Sequence, residues 1–255
     1  MLIAGGGAAM WAVGRRRERL ALAEPENLRG ALASKDQRTV EATLRQRLAM
    51  AADGDDIGPE REWLTRAQLG GLLVAEWRLE EAAEVYAAAR RGLSPLLRDL
   101  ANFGRHEVAV LAEPATAQRL EAIQSDRSKT LEHVPGKYQE QAAMVWGALE
   151  GLCLARMGRH RDAVALLERG LRHVMDLTPA RIVYVFHLAQ ALEHVGDRKD
   201  ALVRYREAIE ALPGTRLANE AEVRVRALES GGGFRSMLPE APAAPPALKA
   251  GSEDA

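Results

Sequence analysis

Residues 183–214, VYVFHLAQALEHVGDRKDALVRYREAIEALPG, decide the fold. Val185, Leu188, Ala189 and Leu192 recur at the spacing of one helix face. Gly196-Asp197 breaks that pattern, glycine supplying the backbone freedom that a helix end often needs. Ala201, Tyr205, Ala208 and Ile209 then form the stripe of a second helix, which Pro213 closes. The small side chains of Ala201 and Ala208 allow two antiparallel helices to approach closely, and Tyr205 and Leu192 fill the space beside them.

The same template recurs upstream. In residues 144–171, MVWGALEGLCLARMGRHRDAVALLERGL, the counterparts are Gly151, Leu154, Gly158, Ala163, Leu167 and Gly170. In residues 64–95 they are Leu69, Gly70, Leu73, Ala82, Tyr86 and Ala89, with Trp77 standing where the other units place glycine in the turn. Pro25, Pro59, Pro95, Pro135, Pro179 and Pro213 fall 34, 36, 40, 44 and 34 residues apart, each interval enough for two short helices and their turns. Periods in this range mark helical solenoids.

These units resemble the tetratricopeptide repeat (TPR), whose pattern runs large-xx-Leu-Gly/Ala-xx-Tyr/Leu, then Gly, then Ala-xxx-Phe/Tyr-xx-Ala, then Pro. The resemblance implies an all-α fold, a right-handed α-solenoid of antiparallel helix pairs with a C-terminal capping helix. It covers residues 26–229, in units of about 26–58, 60–94, 96–134, 136–178 and 180–212 and a cap at 214–229. The first unit carries Leu28, Leu32, Val40, Leu44 and Leu48; the third, read as helices at 96–112 and 115–127, lacks the small residues. The cap shows Leu217, Ala221, Val225 and Leu228 with a charged opposite face, as a last repeat without a neighbour requires. The segments 53–60 and 125–137 read as exposed breaks, the latter the longest in the array, and residues 231–255, rich in Gly, Pro and Ala, as a disordered tail.

Composition agrees with a helical protein and supplies little chemistry. Of 255 residues, 35 are basic and 36 acidic, so no net charge argues for nucleic acid, and aromatics reach only 4%. Cys153 is the one cysteine, which excludes an intramolecular disulfide and a multi-cysteine zinc site. His160-Arg161-Asp162 matches a kinase catalytic tripeptide, but Leu167 stands where that loop needs asparagine. Gly5-Gly6-Gly7 does not complete a dinucleotide fingerprint, and the six histidines form no HExxH or i, i+4 pair. His187 reads as a packing residue, His194 as a surface residue and Cys153 as a buried inert thiol. The expectation is a protein that is not an enzyme and uses no cofactor, metal or nucleic acid.

In the TPR family the first helix of each pair lines a concave groove. Carried over, the groove positions become Ala67, Gly71, Val74 and Ala75, then Ala148, Leu152, Ala155 and Arg156, then Phe186, Gln190, Glu193 and His194. The Lys, Arg and Asn of the family's carboxylate-gripping members are missing. An apolar groove with small residues suits an amphipathic helix of a protein or peptide partner, or of the chain itself. Leu152, Arg156, Phe186, Gln190, Glu193 and His194 are the expected partner contacts. The expected role is a scaffold or adaptor, with a regulatory or sensor module as the alternative.

The N-terminus, MLIAGGGAAMWAVGRRRER, places 14 residues without charge before Arg15, Arg16 and Arg17. As a helix it reaches about 21 Å, short of a bilayer span. Charge after the apolar run, and not before it, argues against a cleaved signal and for an anchor with the repeats in the cytoplasm. Leu2, Ile3, Trp11 and Val13 would enter the membrane and Arg15, Arg16 and Arg17 stay at its cytoplasmic face. A bacterial inner membrane is the expected location, a soluble cytoplasmic protein the alternative. Anchor, arginine cluster and repeats together are similar to the bacterial envelope protein family that regulates lipopolysaccharide synthesis, although that family ends in a cysteine-rich metal knuckle and this chain has only Cys153.

Overall fold

A computed structural model describes residues 36–52, 59–88, 95–173, 179–231 and Leu238. The fold is all-α: the described residues form ten helices and no strand. In chain order these are α1 (Gln37–Ala52), α2 (Pro59–Ala75), α3 (Leu79–Ala87), α4 (Pro95–Ala112), α5 (Ala117–His133), α6 (Gly136–Arg156), α7 (His160–Leu171), α8 (Arg181–Val195), α9 (Arg198–Ala211) and α10 (Arg216–Ser230). The anchor residues Leu2, Ile3, Trp11, Val13, Arg15, Arg16 and Arg17, the stretch with Leu28 and Leu32, the linker 53–58 and the tail apart from Gly231 and Leu238 lie outside the described residues. Among the described residues no helix is long and apolar enough to cross a membrane.

Local chemistry sets the helix boundaries. α2 and α4 begin on Pro59 and Pro95, and α6 follows directly on Pro135, because proline's fixed φ and missing N–H suit a helix start. The Asp197 carboxylate accepts the backbone N–H of Asp200 at 3.2 Å, and the Thr215 hydroxyl that of Ala218 at 3.3 Å, capping α9 and α10. Within the pairs α6–α7 and α8–α9 the turns use Gly158 and Gly196 at φ +79° and +91°. Trp77 takes the same left-handed conformation, φ +60°, between α2 and α3. The turn geometry thus survives the loss of glycine, at the steric expense a Cβ brings there.

One expected boundary is wrong. Residues 125–137 are not the longest break: α5 runs on to His133, and only Val134 and Pro135 separate it from α6. The polar letters SDRSKT suggest a loop, yet Asp126 and Lys129 pair across one turn at 2.9 Å, and the buried Thr130 returns its hydroxyl to the Asp126 carbonyl at 2.8 Å. Thr130 and Val134 face the core from this segment.

Each helix packs on the next, and α2, α4, α6, α8 and α10 also touch in succession, forming an inner layer with the odd-numbered helices outside. Their apolar side chains make one continuous core from Val40 and Leu44 to Leu217 and Ala221. Close approach needs glycine at Gly70 and Gly104, which sandwich the Tyr86 ring. A Cβ on either would stand 2.4 Å from ring carbons.

The two ends of the array meet. α2 contacts both α8 and α10. A Cβ on Gly71 would lie 2.9 Å from the backbone nitrogen of Ala180, the residue before α8. Gln37 donates its amide to the Gly214 carbonyl at 3.1 Å, and the Glu76 carboxylate accepts the backbone N–H of Arg216.

Candidate functional site

The inner layer carries the positions expected to form a groove, and most have no surface left. Ala67, Val74, Ala75, Ala148, Leu152 and Phe186 are buried, Leu152 and Phe186 at 0% exposure. Leu152 and Phe186 are therefore corrected from partner contacts to core: the inner helices lie close enough to cover one another. Phe186 sets its ring edge against His187 and Tyr205 at 5.3 and 5.7 Å. Arg156, Gln190 and Glu193 keep partial exposure, and His194 is exposed.

Arg156, Gln190 and Glu193 border a buried polar cluster near the C-terminal ends of α6 and α8. Arg156 donates from Nη2 to the Leu111 carbonyl at 3.3 Å, and its Nε is buried without a hydrogen-bond partner. Burial pulls its guanidinium below the usual arginine range. Gln190 holds His187 by Oε1···Nδ1 at 2.8 Å. Burial, reinforced by the Arg156 charge, takes His187 down to about 3, so it stays neutral. Glu193 accepts the Tyr205 hydroxyl at 2.7 Å and Arg224 Nη1 at 3.0 Å. His194 stacks face to face on His160, ring centres 4.1 Å apart.

A second buried carboxylate lies between α3, α4 and α8. Glu107, 1% exposed, holds its Oε2 3.5 Å from the Tyr86 hydroxyl, and its Oε1 has no hydrogen-bond partner. The Tyr184 hydroxyl lies against the same carboxylate. Burial drives the Glu107 carboxyl up to about 7, and the two tyrosine hydroxyls offset this only in part. The same burial and the adjoining carboxylate push both tyrosines well above 10. Phe103, one turn before Glu107, packs its ring on Trp146 at 5.2 Å and Tyr184 at 6.5 Å.

Glu107 was legible as an irregularity. It occupies the inner stripe of α4 with Phe103, Val110 and Leu111, where an apolar side chain is due. Arg224 carried no comparable signal, because its partner Glu193 lies on another helix 31 residues away.

Burial pushes the Cys153 thiol up to about 11, and it is fully buried, so it has neither the thiolate nor the access of a nucleophile. Among the described residues no three His, Cys, Asp or Glu side chains converge as metal ligands would. Comparison with known proteins adds no identity: no family model, no curated protein and no solved structure matches the chain.

Proposed function

We propose that the chain is a non-catalytic helical-repeat adaptor of the TPR kind that binds an amphipathic helix or peptide of a protein partner. The observation that carries this reading is the recurrence of one packing solution. Tyr86, Leu167 and Tyr205 hold equivalent places in three sequence units, and all three are buried at helix–helix junctions. The succession of inner-layer contacts supports a solenoid, and the three units support its TPR character.

Partner contact in the closed arrangement falls to the polar rim: Arg156, Gln190, Glu193 and His194. Deeper entry along the inner face requires α2 to part from α8. Capture of partners from lysate by the full chain and by an Arg156→Ala/Gln190→Ala variant tests the reading. A specific partner set lost in the folded variant supports it; an unchanged set rejects the rim as the docking site.

The N-terminal segment fits this role as a tether at the cytoplasmic face of a bacterial inner membrane, since an adaptor without chemistry acts through its location. Carbonate-washed membranes retain the full chain and not a version starting at Leu20 if the tether exists. Recovery of the full chain wholly in the wash rejects it.

A further inference from the structure

Closure of the inner layer raises the question of what opens it. Glu107 is the group placed to do so. Its carboxylate sits at the junction of three helices, bounded by Tyr86 from α3 and Tyr184 from α8, while α2 approaches through Gly70 on the far side of the Tyr86 ring. The groups acting on the carboxylate from these elements are both neutral phenols, and one of its oxygens is unpartnered. As a neutral acid Glu107 can share its proton with these oxygens; as an anion it is a charge in the core with no compensating cation among the described residues, which is costly.

We propose that Glu107 is a proton-operated latch on the inner layer: protonated, it holds α3, α4 and α8 together, and on losing its proton to solvent it loosens α8 from α4 and opens the inner face. The link to docking rests on the inner-face reading above; the latch itself does not. With the carboxyl at about 7 in the closed form and an ordinary 4.5 when released, the closed-to-open ratio falls roughly 30-fold between pH 5.5 and 8.5. Released α8 would carry Tyr184 away from Phe103 on α4, giving a partner helix an aromatic anchor that the closed form hides.

A neighbouring histidine must be separated from this effect. His106, next along α4, lies 3.0 Å from Asp126 on α5 and edges onto Trp146, so it is a second ionisable side chain whose contacts tie α4 to its neighbours. The test compares the full chain with Glu107→Gln and His106→Gln, following the thermal midpoint and the amide exchange of α8 between pH 5.5 and 8.5, corrected for intrinsic exchange. The wild-type midpoint should fall by roughly 4–8 °C over that interval, with α8 exchanging up to roughly 30-fold faster. Glu107→Gln should flatten both responses, and His106→Gln should retain them. A Glu107→Gln profile as steep as wild type, or a flat His106→Gln profile, overturns the latch. If Glu107→Gln fails to fold, wild-type exchange decides: α8 protection independent of pH overturns the proposal. Partner capture at both pH values is read separately. A working latch with unchanged capture rejects inner-face docking and leaves the latch standing.

Discussion

Two tyrosines at equivalent places in two sequence units, Tyr86 and Tyr205, each offer a hydroxyl to a glutamate in the inner layer, and the two stations differ in the cation beside it. At Tyr205 the hydroxyl lies 2.7 Å from Glu193, and Arg224 from α10 closes an ion pair on the same carboxylate at 3.0 Å. At Tyr86 the hydroxyl stands 3.5 Å from Glu107, and no cation among the described residues acts on that carboxylate. Both rings are buried at helix junctions. Whether the adjoining carboxylate gains a cationic partner depends on what the next inner helix supplies. One station is locked and the other responds to pH.

The largest effect should come from unlocking the first station. Arg224→Met strands Glu193 beside Tyr205 and removes the guanidinium that lies 3.4 Å from the buried Glu220. Urea unfolding should show a loss of about 3–5 kcal/mol, the usual cost of breaking a buried pair from one side. A loss below 1 kcal/mol would make the two stations electrostatically alike.

At the second station the sign reverses. Glu107 has a folded pKa raised above its unfolded value, so its contribution is full below about pH 4.5 and is lost as pH rises through about 7. Glu107→Gln should therefore stabilise the protein by about 3 kcal/mol at pH 8.5 and by only about 1 kcal/mol at pH 5.5, read from denaturant midpoints at each pH. Equal effects at both pH values would show that the carboxylate does not titrate in this range.

The Tyr86 ring itself depends on missing side chains. Gly104→Ala places a methyl 2.4 Å from the ring and should cost about 1–3 kcal/mol despite alanine's better helix propensity. A neutral or stabilising result would mean that the ring is free to shift. The smallest effect belongs to the α9 cap near the locked station: Asp197→Ala should cost about 1 kcal/mol in the same unfolding assay.

Much of the helical architecture was readable because it is local. Glycine or proline marks most helix ends, and Ala201, Tyr205 and Ala208 are buried as their spacing requires. The end of α5 was not readable, since its hydrophilic letters are held helical by Asp126 and Thr130 hydrogen bonds and by burial against distant helices. The candidate site was readable only in its outline. Arg156, Gln190 and Glu193 do gather around one buried cluster, but Phe186 and Leu152 are core, because whether an inner face stays open is decided by contacts such as Gly71 with Ala180, over a hundred positions apart. No periodicity encodes that. The turn at Trp77 shows the converse, a local rule broken in the letters and kept in the backbone.

The central claim is that the ends of the array meet and close its inner layer. Spin labels on Arg38→Cys and Asn219→Cys report on it directly, both sites being exposed beside the Gln37–Gly214 contact, with Cys153 too buried to label. The account predicts one short, narrow distance distribution at pH 5.5. A broad distribution of long distances at that pH would contradict it.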